Sequence, residues 1–346
     1  MTARPFDIAP RREVLVGDAL RQLRRLPDAS VDMILTSPPY FRLRNYDHDK
    51  QIGLEPTVDE WAGRLAATLS EAHRVLVPTG TLWLNLGDTY ATHSSQGAPP
   101  KSLLLAPERL LLRLQAAGWI IRNKIIWAKP NPMPTSVTDR LAATYEIVAV
   151  LSKQPHYFFD LDALRIPHRS RPGRPTAVQR ANEAWRGPNS DTVTGLDALK
   201  AAGRVGHPLG KNPGDVWTIA TSRYRGAHHA TFPEALAARA IAAGCPEARC
   251  TACQLPWHRP LIRALGQTAT RAALSPTCDC HAPSEPGLVV DPFIGSGTTA
   301  VAAEKLGRDW LGIELNAGFA HAARSRIATA RAGRQRPFPN SQGTAA

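Results

Sequence analysis

The sequence predicts an α/β protein built on a doubly wound, mostly parallel sheet. Apolar runs of strand length alternate with segments whose apolar residues recur at three-to-four spacing, the signature of strand and helix in turn. Two of the apolar runs end in segments of small or stiff residues. Val31-Asp32-Met33-Ile34-Leu35 leads into Thr36-Ser37-Pro38-Pro39-Tyr40, and Leu288-Val289-Val290 leads into Asp291-Pro292-Phe293-Ile294-Gly295-Ser296-Gly297-Thr298-Thr299. Both segments therefore belong at carboxyl ends of strands, the edge where open α/β sheets bind ligands. A chain of 346 residues can bury one large core of this kind.

The elements follow in order. Val14-Leu15-Val16 reads as a strand closed by Gly17-Asp18, and Ala19 to Leu26 has helical spacing before Pro27. The strand from Val31 delivers Thr36 to Tyr40. Val58, Trp61, Leu65, Leu69 and Val75-Leu76 mark a helix over 58–76, which Pro78-Thr79-Gly80 should stop. Thr81 to Leu86 is the next strand, closed by Gly87-Asp88. A helix from Pro107 to Ala117 leads through Gly118 to a strand from Trp119 to Trp127, and Tyr145 to Leu151 is another strand. Val216 to Ile219 is strand-like, and His229-Ala230-Thr231-Phe232-Pro233 opens an alanine-rich helix through Ala243. A helix follows the glycine turn, then the strand Trp310-Leu311-Gly312-Ile313 ends at Glu314, and residues after Arg331 read as a polar tail.

Two stretches interrupt this alternation. From Arg165 to Asn212 the sequence carries Arg165, Arg169, Arg171, Arg174, Arg180, Arg186, Lys200, Arg204 and Lys211 among prolines and glycines. That composition suits a solvated loop and equally a segment that orders on a polyanion. The second stretch holds all five cysteines: Cys245, Cys250, Cys253, Cys278 and Cys280. Cys250-x-x-Cys253 and Cys278-x-Cys280 can give four thiolates to one structural zinc, with His258 and His281 as substitute ligands, or can be unpaired thiols of a surface insert. Cys245, between Gly244 and Pro246 at a helix end, reads as a buried small residue.

The chain carries 42 Lys+Arg against 29 Asp+Glu, a formal charge of +13, which favours polyanionic partners. It has no run of about 18 apolar residues to span a bilayer, and residues 1–7 lack the apolar core of a secretory signal. A cytoplasmic protein with reduced thiols is expected, with metal favoured over disulfide at the cysteines.

A glycine turn between strand and helix lets a ligand approach the backbone and meet the positive helix end. Here the turn lacks the lysine of a phosphate loop. Glu314, one strand later, stands where a carboxylate can bind the two hydroxyls of a ribose, as in dinucleotide folds.

Together the Ser37 to Tyr40 and Asp291 to Thr299 segments resemble the amino-methyltransferases of DNA. These enzymes move a methyl group from S-adenosyl-L-methionine to the exocyclic nitrogen of cytosine or adenine. The order, catalytic turn first and cofactor turn last, resembles the permuted beta type of that family, in its Ser-Pro-Pro-Tyr subtype. Matching segments cover most of residues 12–330, including Lys129-Pro130-Asn131-Pro132-Met133-Pro134 and Leu151-Ser152-Lys153, and fail in the arginine-rich and cysteine-bearing stretches.

The resemblance implies a circularly permuted sheet of the S-adenosylmethionine-dependent methyltransferase type. It implies that Asp291, Phe293, Gly295 and Gly297 shape the methionine end of a cofactor pocket, with Thr298 and Thr299 at the helix start. Asp18 then lies near the adenine ring, Glu314 at the ribose, and Phe232 closes the methionine end. Duplex DNA is the implied partner, in a restriction-modification or an orphan epigenetic role; a cognate restriction endonuclease would act on the same site without direct contact.

An exocyclic amine is a poor nucleophile because its lone pair is delocalised into the ring. Acceptors placed on its N–H groups rehybridise it and aim the lone pair at the sulfonium methyl. Ser37 offers a hydroxyl and Pro38 a backbone carbonyl, Pro39 stiffens the turn with Pro38, and Tyr40 offers a face for a base rotated out of the duplex. Ser at the first position of this tetrapeptide is usual among cytosine-N4 enzymes of the family, and Asp or Asn among adenine-N6 enzymes. Cytosine N4 is thus expected, with adenine N6 as the alternative and a catalytically silent DNA-binding relative or an RNA methyltransferase as further readings. No Pro-Cys pair exists for cytosine-C5 chemistry, and the His-x-Glu and Pro-Cys-x-x-Cys signatures of base deaminases are absent.

The expected organisation is a catalytic half over 1–164, an arginine-rich target-recognition insert over 165–212, and a cofactor-pocket segment and helix over 213–244. A cysteine-bearing insert over 245–286, a cofactor-binding half over 287–330 and a polar tail over 331–346 complete it.

Overall fold

The structure, a computed structural model, describes residues 11–46, 48–167, 207–221, 232–262 and 269–335. Arg169, Arg171, Arg174, Arg180, Arg186, Lys200 and Arg204, and residues 229–231, lie outside the described residues. The first half runs β1 (Glu13–Val16), α1 (Ala19–Leu23), β2 (Val31–Thr36), α2 (Val58–Val75), β3 (Leu76–Leu86), α3 (Ala106–Ala116), β4 (Ile120–Ala128) and β5 (Tyr145–Ser152). The second runs β6 (Val216–Thr218), α4 (Glu234–Gly244), β7 (Arg249–Cys250), β8 (Leu261–Ile262), β9 (Thr270–Arg271), β10 (Ser284–Glu285), β11 (Leu288–Asp291), α5 (Thr298–Lys305), β12 (Asp309–Glu314) and α6 (Ala317–Gln335).

Eight strands form one sheet in the order β1-β12-β11-β2-β3-β5-β4-β6. Only β5 runs against its neighbours β3 and β4; the other adjacent pairs are parallel. Parallel strands covered on both faces read as continuous apolar runs, and all six residues of β2 are buried. Leu82, Leu84 and Leu86 of β3 face the cluster formed with α1, α2 and α3. Helix α4 covers β2 and β3 from the other side and packs on α5, which packs on α6.

Helix α2 begins where Thr57 accepts a hydrogen bond from the Glu60 N–H (3.2 Å). Asp59 and Glu60 occupy its positive end, and His73 and Arg74 its negative end. Its stripe of Trp61, Leu65, Leu69 and Val75 is fully buried, and each such side chain contributes roughly 1.5–3 kcal/mol of burial.

The structure differs from the sequence reading at three element ends. The helix ends at Val75, just ahead of Pro78-Thr79-Gly80, but that segment does not delay the next strand to Thr81: β3 starts at Leu76 and runs through it. Val31 pairs with Leu76 and Met33 with Thr81, so the extra residues bulge out of the ladder, where Pro78 loses no hydrogen bond by lacking an N–H. Helix α1 is shorter than its apolar spacing suggests and ends at Leu23. The segment after Arg331 begins as helix, because α6 continues to Gln335.

The chain divides into two compact units. One comprises residues 1–160, 214–258 and 274–346 and contains the whole sheet. The other comprises residues 161–213 and 259–273. In its described part β8 pairs with β9, Ile166 bridges Lys211, and Arg165 Nε donates to Asp162 Oδ1 (2.6 Å). The cysteine-bearing stretch 245–286 is thus divided between the units rather than forming one insert.

Candidate active site

Thr36 pairs with Leu84, so Ser37, just past the end of β2, lies beside Asn85 near the end of β3 at the carboxyl edge. The Ser-Pro-Pro-Tyr turn is anchored from below by Trp61 of α2, whose Nε1 donates to the Pro39 carbonyl (2.9 Å). Ser37 Oγ and Tyr40 Oη lie 3.2 Å apart, and Tyr40 Oη donates to Glu146 Oε2 (2.6 Å). Gly87 makes room for the Tyr40 ring, since a Cβ there would fall 2.7 Å from Tyr40 Cε2. Burial first, and then the Glu146 carboxylate, hold the Tyr40 phenol well above its ordinary pKa and keep it protonated.

Glu146 is the hub of this wall. Its Oε2 also accepts from Asn85 Nδ2 (3.0 Å), and its Oε1 from Lys129 Nζ. Lys129 in turn lies over the Trp127 ring, 4.7 Å from the centroid. Asn85 Nδ2 donates a second bond to the Ile147 carbonyl (3.1 Å), which fixes the amide orientation and leaves Oδ1 as a buried acceptor without a partner among the described residues. Glu146 and Asn85 were not singled out in the sequence, and Lys129 entered only within a family-matching segment. For Asn85 the available signal was a polar residue near the end of an otherwise apolar strand.

Ser37, Pro38, Pro39 and Tyr40 share one cavity of about 700 Å³ with Asp18, Phe232, Phe293, Gly295, Thr298 and Glu314. Asp18 caps α1, accepting from the Arg21 N–H (2.9 Å). Glu314 accepts from the Gly295 N–H (3.0 Å) and the Asn316 N–H (2.9 Å), and burial pushes its carboxyl up. Helix α5 starts without a side-chain cap, so its first N–H groups are not satisfied by a capping side chain.

Asp291, Gly297 and Thr299 do not reach the cavity wall; they hold it from behind. Thr36 Oγ1 donates to Asp291 Oδ1 (2.6 Å), Thr299 Oγ1 to Oδ2 (2.6 Å), and the Phe293 N–H to Oδ1 (3.0 Å). One carboxylate thus joins β2, the glycine turn and α5. Its burial raises its pKa to about 6, against these three stabilising bonds. Gly297 adopts φ +83° and packs against α6, where a Cβ would sit 3.1 Å from Ile327 Cδ1.

The sulfur atoms of Cys250, Cys253, Cys278 and Cys280 lie within 4.8 Å of one another. Among the described residues this group contains neither His258 nor His281. Cys245 stands apart, fully buried at the end of α4.

Residues 31–325, a span that contains both turns, match the N6/N4 DNA methylase family model. The chain belongs to this family. Relatives of the methylase include the Type II methyltransferase M.XycI of Xanthomonas campestris pv. cyanopsidis, 33% identical over 333 residues, covering 90% of this chain and 86% of that protein. The Type II methyltransferase M.SfiI of Streptomyces fimbriatus is 44% identical over 195 residues, 54% of this chain, and the match spans 44% of that relative. The solved PvuII DNA methyltransferase (cytosine-N4-specific) shares the methylase's fold, with a TM-score of 0.55 at 18% identity over 92% of this chain and 90% of that one. No helix among the methylase's described residues is long and apolar enough to cross a membrane.

Proposed function

We propose that this methylase transfers a methyl group to the exocyclic N4 of a cytosine flipped out of duplex DNA, at a specific site, as part of a Type II restriction-modification pair or an orphan equivalent. The methyl donor is S-adenosyl-L-methionine, and the protein works in the cytoplasm. The observation that carries this reading is the single cavity that holds both the Ser37 to Tyr40 turn and the Phe293 to Thr298 turn with Glu314. About 700 Å³ is within the range of cavities that enclose small-molecule ligands. The DNA methylase family match supports a DNA substrate, the Type II methyltransferase relatives support a restriction-modification role, and Ser rather than Asp or Asn at position 37 favours cytosine.

Glu314, Asp18, Phe232, Phe293 and Gly295 would hold the donor, with Asp291, Gly297, Thr298 and Thr299 fixing the turn that faces it. When bound, the donor supplies an electrophilic methyl group on a sulfonium. The protein's own part is to bind, orient and deprotonate the amine. Ser37 Oγ and the Pro38 carbonyl accept its N–H groups and free its lone pair, the kind of preorganised contact that acts mainly in the transition state. The alkylated nitrogen must then shed a proton. Ser37 Oγ, Tyr40 Oη and Glu146 Oε2 form a continuous chain of hydrogen bonds (3.2 and 2.6 Å) that carries it to a carboxylate. Each hydroxyl passes on one proton as it takes one, and Glu146 ends protonated. Cys250, Cys253, Cys278 and Cys280 hold one structural zinc, because four thiolates close a tetrahedral shell and leave no position for water.

Methylated DNA is digested to nucleosides and the product identified. N4-methylcytosine is expected; N6-methyladenine as sole product overturns the cytosine assignment, and absence of transfer to DNA overturns the reading as a whole.

A further inference from the structure

The end of the sheet opposite the cavity carries a second polar construction. Asp32, the second residue of β2, is 3% exposed and accepts from the Leu288 N–H (2.7 Å). Its charge is answered by Arg249, itself 4% exposed, whose Nη1 donates to Asp32 Oδ2 (3.0 Å) and to the Ser30 carbonyl (3.1 Å). Arg249 Nε reaches Glu285 Oε1 (3.0 Å), Arg11 links Glu285 to Asp309 (2.7 Å each), and Arg12 adds a bond to Asp309 (2.8 Å). Carboxylates and guanidiniums alternate along this row, from β2 through the β7–β10 pair to β12.

Arg249 and Glu285 come from the weakest pairing in the row. The β7–β10 ladder has two residue pairs, Ser284 with Cys250 and Glu285 with Arg249. Two strands of that length do not hold themselves together in water. Cys250 is itself part of the ladder, and the sulfurs of Cys253, Cys278 and Cys280 gather beside its own. A tight turn sets Cys253 opposite Cys250: the Gln254 N–H donates to the Cys250 carbonyl (2.9 Å), the Cys250 N–H donates to the Leu255 carbonyl (2.9 Å), and Gln254 takes φ +62°. The Ala252 N–H points at Cys250 Sγ (3.4 Å), and the Thr251 N–H bonds the Pro283 carbonyl (3.0 Å), bringing the second cysteine pair alongside. Zn–S bonds of about 2.3 Å at tetrahedral angles require sulfurs roughly 3.8 Å apart. The observed spread, within 4.8 Å, closes onto an ion with sub-ångström shifts.

We infer that a tetrahedral zinc on Cys250, Cys253, Cys278 and Cys280 is a clamp that keeps Arg249 seated on Asp32, so that metal occupancy stabilises the catalytic sheet itself and not only the segment that carries the cysteines. Without the metal the short ladder frays and Arg249 leaves, and a buried carboxylate loses its counter-charge beneath the strand that presents Ser37. Removing one partner of a buried pair is far more damaging than never having had the pair. This inference is independent of which base is methylated.

The test uses the full chain purified without added metal. Elemental analysis should give about one zinc per chain, as a four-ligand site requires. Stripping it with a chelator, or weakening it with Cys280→Ser at the exposed ligand, should lower the Tm by roughly 4–7 °C, the scale of a broken buried pair in a chain of 346 residues. Hydrogen exchange should rise in residues 31–36 as well as around the cysteines. In a paired Asp32→Leu, Arg249→Met variant, which keeps all four thiols, the metal-dependent Tm shift should fall to less than half. Metal-free protein of full Tm, or disulfides among the four cysteines in the active protein, would overturn the site. Metal loss that speeds exchange only around the cysteines, with residues 31–36 unchanged, would overturn the clamp.

Discussion

Replacing Asp291 by Asn removes a charge from the point where the catalytic strand, the glycine turn and α5 are tied together. The carboxyl titrates at about 6 in the folded protein and near 3.9 in an unfolded chain. The folded state therefore binds its proton more tightly. Across the window from about pH 4 to 6 it holds more protons than the unfolded state, so stability falls as pH rises and levels off above about pH 7. Two pH units of displacement amount to roughly 3 kcal/mol. The amide keeps an acceptor for Thr36 and the Phe293 N–H, and the Thr299 hydroxyl can turn to accept from the new NH₂, so few contacts are lost. Urea unfolding of both proteins at pH 4.5 and 8 measures the difference. Because the unfolded carboxyl is already mostly ionised at pH 4.5, the parent should lose roughly 2 kcal/mol more than the variant over that interval. Glu314, also pushed up by burial, leaves the variant a residual slope of the same sign. Equal pH slopes for the two proteins would refute the argument.

Ser37→Ala should slow single-turnover methyl transfer by roughly 10–1,000-fold, the scale of one lost transition-state hydrogen-bonding group, with donor affinity nearly unchanged in a calorimetric titration. Tyr40→Phe keeps the ring but cuts the chain between Ser37 and Glu146; it and Glu146→Gln should each slow turnover by roughly 10–100-fold and alter the pH profile of kcat. A kcat and pH profile matching the parent in both variants would remove the proton path. Replacing Arg169, Arg171 and Arg174 together should weaken DNA binding and flatten its dependence on salt, because each lost phosphate contact removes a counterion-release contribution; an unchanged slope in a binding titration would exclude backbone contacts by these residues.

Both turns were legible from local chemistry, since a Ser-Pro-Pro-Tyr run and a glycine turn each follow a mostly apolar strand. Glu146 was not, and the reason is direction. In a parallel sheet its place, second residue of β5, would lie at the edge away from the ligands. Because β5 runs against β3 and β4, its amino end arrives among their carboxyl ends. Apolar periodicity reports that a segment is a strand and says nothing of which way it points. Pro78 misled for a related reason, since a bulge that a neighbouring strand tolerates has no mark in the residues themselves. Arg249 carried no signal either, because its partner Asp32 is more than two hundred positions away.

The joint between β2 and β11 has a consequence for how the chain reaches this state. Met33 and Ile34 sit in the middle of the sheet, yet their neighbours Val289 and Val290 leave the ribosome more than two hundred positions later. A sheet nucleus of β2, β3, β4 and β5 can assemble early, and its inner edge then stays open, apolar from Met33 to Leu35, until β11 and β12 arrive. Unsealed edges of this kind template pairing with other chains, and contacts across so long a loop form slowly. The yield of native protein should therefore depend on synthesis rate and chaperone supply more steeply than its final stability suggests. Slower translation or lower temperature during expression is the condition under which that edge finds its own partner before it finds another copy.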